Sequence, residues 1–139
     1  MKKIEMYVLT LCCFFCSHYA MTQDISDFKW KNRVLILVAK DLNNEDLNTQ
    51  IEAFKDYSDD FEARDLILFI STPQGTYTSH KTSVDTKGID TYRKNNFEGI
   101  ILLGKDGGIK LKKPFIVTAK TILNVIDAMP MRQNEKKSQ

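Results

Sequence analysis

From Arg33 to Ala39 the chain reads Arg-Val-Leu-Ile-Leu-Val-Ala, aliphatic and β-branched without a polar break. A run that short suits a strand buried on both faces and cannot make a helix of ordinary length. Leu66–Ile70 and Gly99–Leu103 repeat the pattern and predict two further core strands. Between the first two runs, Leu47, Ile51, Phe54 and Phe61 recur at helical spacing, so one apolar stripe faces inward. Asn43 and Asn44 precede that stripe as candidate N-caps, and Glu45 and Asp46 complement the helix dipole in its first turn. The helix is expected to end around residues 57–60. Strand, amphipathic helix and strand make a βαβ unit, which closes right-handed and sets its two strands parallel.

The remaining segments carry weaker patterns. Ser71 to Val84 is polar, with Pro73 and Gly75, and reads as a loop or a short hairpin around Gln74-Gly75. Asp85 to Asn95 reads as a weak helix with Ile89 and Tyr92 inward, interrupted by Gly88. Asp106-Gly107-Gly108 predicts a tight turn, and Ile109 to Lys113 alternates apolar residues with lysine as a protected edge strand does. Thr118 can cap a last helix whose stripe is Ile122, Val125, Ile126 and Met129, with Pro130 as its stop. The expected order is β-α-β-α-β-β-α. It describes an α/β, thioredoxin-like domain with a mixed four-stranded sheet and helices on both faces. Its predicted span is residues 21–132, and the charged tail 133–139 is expected to be disordered.

The first twenty residues belong to a different class. Lys2 and Lys3 precede an apolar run from about Met6 to Cys16, and Ala20 supplies a small residue before a polar stretch. That is the layout of a secretory signal peptide, too short to be a spanning helix. It implies a secreted or periplasmic protein cut near Ala20. A lipid anchor is disfavoured, because Cys16 follows Phe14 and Phe15 where small residues are needed. No later apolar stretch approaches the roughly 20 residues of a membrane span. All three cysteines, Cys12, Cys13 and Cys16, lie inside this leader, so removal leaves a chain without a thiol. The Cys13-x-x-Cys16 spacing imitates a redox motif but sits in the signal's apolar run.

Of 139 residues, 42% are hydrophobic and 27% charged, the balance of an ordinary globular protein. The net charge of +2 demands no nucleic-acid partner. Its distribution is more informative. Residues 41–65 hold nine acids against Lys55 and Arg64, while residues 105–139 hold eight basic groups against Asp106, Asp127 and Glu135. Such a dipole can steer a charged partner.

Four stretches then bear a family resemblance: Trp30-Lys-Asn-Arg33-Val-Leu, Arg64-Asp65-Leu66, Gly104-Lys-Asp-Gly-Gly108-Ile-Lys110-Leu and Ile126-Asp-Ala-Met-Pro-Met-Arg132. Together they resemble the DUF4174 family, a domain of unknown function in bacterial secreted proteins. A similar domain occurs in animal extracellular proteins, including sushi-repeat and matrix-associated coiled-coil proteins. The resemblance covers nearly all of the chain after the leader. It implies a thioredoxin- or peroxiredoxin-like fold and no established activity.

In thioredoxin-like enzymes the chemistry sits where the first strand passes into the first helix. Here that stretch is Lys40-Asp41-Leu42-Asn43-Asn44, without cysteine, serine or threonine. Asn95-Asn-Phe97 stands where thioredoxins place a proline against the site. Disulfide exchange and thiol peroxidase activity are therefore rejected. Asp41, Glu45 and Asp46 repel an anion at that helix end, and no EF-hand spacing accompanies them. His80 is the one histidine after the leader, so no His/Cys metal set and no cofactor is assigned. Met129 and Met131 read as core caps. The glycine-rich turn beside Lys105, Asp106 and Lys110 joins two strands and lacks the spacing of a P-loop.

Arg33 and Arg64-Asp65 enter parallel strands at the same edge, where an arginine–carboxylate cluster can lock the strand ends, with Arg132 able to join it. No catalytic residue is assigned. The candidate functional surface is Lys40, Asp41, Arg64, Lys105, Asp106, Lys110 and Arg132. The reading is an exported thioredoxin-like domain without redox cysteines, a binding or interaction module of the cell envelope or extracellular space. Its partner is a protein or a surface, with no oligomeric state specified. Two alternatives stand beside it: an enzyme using Lys40, Asp41, Arg64 or Arg132 in a cleft at the strand ends, and a structural envelope or matrix component.

Overall fold

The computed structural model describes residues 22–139; the leader assigned above, with its cysteines, lies outside the described residues. The three apolar runs form the strands expected of them: β2 (Arg33–Val38), β3 (Leu66–Thr72) and β7 (Gly99–Leu103). β2 pairs parallel with β3 and antiparallel with β7, and β8 (Ile109–Lys113) closes that side antiparallel to β7. β2 is buried along its whole length, as a central strand covered on both faces must be.

The sheet has six strands rather than four. The polar stretch after β3 is a hairpin, β4 (Gly75–Thr78) followed by β5 (Ser83–Val84), giving the order β5-β4-β3-β2-β7-β8. Its threonines and Tyr77 suit a half-buried pleated surface, which a search for apolar runs does not register. A separate parallel pair joins β1 (Gln23–Asp24) to β6 (Thr86–Lys87).

The α-helices α1 (Glu45–Phe54), α2 (Ser58–Glu62) and α3 (Ala119–Asp127) pack on one face of the sheet. Leu35, Leu37, Ile100 and Leu102 point from the strands to meet Leu47, Phe54, Phe61, Ile122 and Ile126. The caps are those the sequence offers: Asn44 accepts from the Leu47 N–H at 2.9 Å, and Thr118 accepts from the Thr121 N–H. Gln50 is completely buried and ties α1 to the chain before α3. Its amide donates to the Val117 carbonyl and accepts from the Val117 N–H, both at 2.7 Å.

The other face differs from expectation. Val34, Ile36, Val38, Ile101 and Leu103 are covered by two single 3-10 turns, Ile25–Phe28 and Ile89–Tyr92, instead of an α-helix. Gly88, at φ +83°, turns the chain into the second of these, and Ile89 is fully buried. The segment is too short and too polar to propagate a helix, so burial of Ile89 decides its shape.

The C-terminal segment is also corrected. Pro130 does not stop the chain's helical structure; it opens α4 (Pro130–Lys137) after α3 has ended at Asp127. Proline lacks the N–H that the first helical position leaves unbonded, so it starts a helix as readily as it ends one. The tail expected to be disordered is this helix, held by ion pairs to residues far away in sequence. Met129 is buried as a core cap, whereas Met131 is exposed.

Candidate functional site

The antiparallel run of β7 brings its C-terminal end beside the starts of β2 and β3. Leu103 lies opposite Val34, and Arg33 lies opposite Leu66. Whatever precedes β2 and β3 and follows β7 therefore meets at one end of the sheet. Those flanks are Trp30–Arg33, Arg64–Asp65 and Gly104–Lys110, and α4 docks against them. The four stretches quoted for the family resemblance converge here, although they are spread over a hundred residues of chain.

Arg33 is the centre. It is completely buried, which a guanidinium tolerates only when paired. Its Nη1 donates to the Arg64 carbonyl at 2.8 Å, and its fork reaches both carboxylate oxygens of Glu135, at 3.2 and 3.3 Å. Glu135 also accepts from Lys105 Nζ at 2.7 Å and pairs with Arg132 Nη1 at 3.3 Å. Lys105 bonds Asp65 at 2.7 Å. Arg64 holds Asp127 through two 2.9 Å bonds and donates to the Asp60 carbonyl, while Lys136 and Arg132 approach Asp127 from α4.

The ionisation of these groups follows from the geometry. Burial raises the Glu135 pKa, but Lys105 and Arg33 outweigh it and bring it down to about 2. Arg64 holds Asp127 below the usual carboxylate range. Burial acts to lower the Lys105 pKa, yet Asp65 and Glu135 together raise it. These pairings favour the charged forms of Arg64, Lys105, Asp127 and Glu135.

Beside the cluster lies a cavity of about 310 Å³, lined by Trp30, Arg33, Lys105, Asp106, Lys110 and the Met129–Met131 corner. Trp30 is 68% exposed and adopts φ +66°, uncommon for so bulky a side chain. Its backbone N–H donates to the Lys105 carbonyl at 2.7 Å, which fastens this loop to the glycine-rich turn. In the turn, Asp106 accepts from the Gly108 N–H and from Lys110 Nζ at 2.8 Å, and these bonds, Lys110's first, hold its pKa down. Gly107, at φ +80°, lets Lys29 pass where a Cβ would collide.

Of the seven candidate residues, Arg64, Lys105, Asp106, Lys110 and Arg132 gather at this end. Lys40 and Asp41 lie at the other, about 20 Å away along β2. Lys40 and Asp41 therefore share no cleft with Arg64 and Arg132. At the far end, Asp41 turns back on the Asn43 N–H at 2.7 Å, and Asn44 caps α1. Lys40 approaches Glu98 at 3.4 Å beside a cavity of about 150 Å³ whose wall includes Arg93 and Asn96. His80 is exposed. Among the described residues no group of His, Cys, Asp or Glu side chains could hold a metal ion, and no helix is long and apolar enough to cross a membrane.

Sequence reading missed Glu135 and Asp127. Asp127 sits inside one of the family-like stretches, which was the available signal. Glu135 sits in a charged tail, where composition gives no reason to prefer it to its neighbours.

The family model for DUF4174, a domain of unknown function, matches residues 24–135. No curated protein matches the chain. Among solved structures, the reduced 2-Cys peroxiredoxin of Plasmodium vivax is similar over 81% of this chain and 84% of its own, with 19% identity and a TM-score of 0.56. Thioredoxin peroxidase I of Plasmodium yoelii is similar over 83% and 81%, at 19% identity and a TM-score of 0.57. The mitochondrial 2-Cys peroxiredoxin of Plasmodium falciparum reaches a TM-score of 0.54 at 16% identity, over 83% and 84%. At these identities the likeness shows the thioredoxin-like fold alone.

Proposed function

The chain belongs to the DUF4174 family, and from that premise we propose that it is an exported thioredoxin-like domain without redox cysteines. It serves as a binding or interaction module of the cell envelope or extracellular space. It binds through the charged end of its sheet, where β2 and β3 begin and β7 ends. The observation that carries this reading is the convergence of four separated stretches on that end. There, a wholly buried arginine and an exposed tryptophan adjoin one cavity. A fold can close its strand ends with apolar residues at lower desolvation cost, so the buried Arg33 and Arg132 point to a use beyond packing. The opposite corner supports the same reading. Lys40–Asn44 carries no nucleophilic thiol, and Asp41 and Asn44 spend their side-chain acceptors on the chain's own N–H groups.

Intact mass of the protein recovered from its native host, with thiol labelling on the same sample, tests export and thiol chemistry together. The expected mass lacks residues 1–20, and no label is taken up. A full-length mass with reactive thiols, or a mass with added lipid, would return Cys12, Cys13 and Cys16 to the centre of the function.

A further inference from the structure

We propose that the cavity between Trp30, Arg33, Lys110 and the Met129–Met131 corner binds a monocarboxylate carried on a small apolar body. The assignment rests on the binding reading above and names the ligand class for that same end. Three features of the cavity select this chemistry.

The first is an unused donor. Arg33 is fully buried, and its Nη groups are satisfied by Glu135 and the Arg64 carbonyl, yet its Nε–H has no partner among the described residues. A buried N–H left unbonded is costly. Covered as it is, Arg33 adds positive field to a wall in which Lys110 is the partly exposed cation that an incoming oxygen meets. The second is the charge balance. Arg33, Arg64, Lys105, Lys110, Arg132 and Lys136 face Asp60, Asp65, Asp106, Asp127 and Glu135, an excess of one positive charge. One negative charge neutralises the end of the sheet. A dianion such as phosphate would overcompensate it and meet the carboxylate of Asp106 in the cavity wall. The third is the remaining lining. An exposed indole, two methionines and a proline offer a flat, apolar and polarizable surface to the rest of the ligand. The volume of about 310 Å³ is at the lower end for ligand pockets. It accommodates a small free acid or the C-terminal residue of a polypeptide; both present the same carboxylate on an apolar body.

Trp30 is the chain's single tryptophan and lies in the cavity wall, so its emission reports on this site alone. The protein as recovered from its host is titrated with 3-phenylpropionate and with a short peptide ending in phenylalanine. The amide of each ligand and inorganic phosphate serve as controls, and calorimetry runs in parallel. At least one acid is expected to give a saturable change, with its amide weaker by about tenfold or more, the loss of one charge-assisted hydrogen bond. Saturation by the free acid alone marks a small-molecule site, and saturation by the peptide marks a chain terminus. Lys110→Glu, on a partly exposed side chain, is expected to keep the circular dichroism of the parent and weaken the acid by about tenfold or more. No saturable response in either measurement, equal binding of acid and amide, or tighter binding of phosphate would overturn the proposal. Intact mass and thiol labelling judge the export reading without reference to this cavity, so the two can fail separately.

Discussion

Glu135 is the carboxylate that answers Arg33, the wholly buried cation of the cluster. It neutralises buried Arg33 and also bonds Lys105 and Arg132. Its folded pKa of about 2 lies below the ordinary 4.5, so it stabilises the fold fully above about pH 4.5. That contribution is lost as pH falls through the window toward 2. The shift corresponds to on the order of 3 kcal/mol. Glu135→Gln is therefore expected to cost about that much at neutral pH in urea unfolding, and to flatten the acid limb of stability between pH 4.5 and 2. An unchanged midpoint at pH 7 would mean that α4 is not held by this carboxylate. Arg33 could be recognised from sequence as a strand-opening cation, but its partner could not. The contact joins residues 102 apart in the chain, and no local pattern distinguishes Glu135 from the charges around it.

At the level of elements, the strongest periodicities were read correctly because their burial is extreme. β2, β3, β7 and α3 follow from aliphatic runs and from stripes that have only one way to be buried. Helix α1 follows too but ends at Phe54, short of the expected 57–60, with Phe61 carried on the separate helix α2. The hairpin β4–β5, the 3-10 turn at Ile89–Tyr92 and helix α4 were misjudged or left open, since each is decided by what it docks against. Gln50 illustrates the limit. It looks like a solvent-facing helix residue, yet it is fully buried and satisfies both backbone groups of Val117. Gln50→Leu leaves that N–H and carbonyl unbonded in the core. The expected cost is about 2–4 kcal/mol in chemical denaturation, with faster amide exchange at the start of α3. A change within a few tenths would show that water or a backbone shift replaces the glutamine.

Across the whole molecule, the thioredoxin-like fold has two usable ends. At one, where strands pass into helices, the chain presents Lys40 to Asn44 and a small polar cavity. At the other, the charged cluster and Trp30 surround a larger one. The candidate site was half legible. Arg64, Lys105, Lys110 and Arg132 were named from sequence, but topology was needed to separate them from Lys40 and Asp41. Only the antiparallel pairing of β7 with β2 decides which flanks become neighbours. Residues 41–65 add an acidic surface at α1 and α2 against the basic β8 and α4, so association is expected to slow as salt rises.

The most direct measurement of which end is used is crosslinked capture from host envelope or supernatant, with three baits run side by side: the parent, Lys110→Glu and Lys40→Glu. The two substitutions reverse one charge each at opposite ends of the sheet. A partner that is retained by Lys40→Glu and lost by Lys110→Glu is the result this account predicts. Loss with Lys40→Glu and retention with Lys110→Glu would contradict it, and would place the working surface at the corner where other thioredoxin-like folds keep their chemistry.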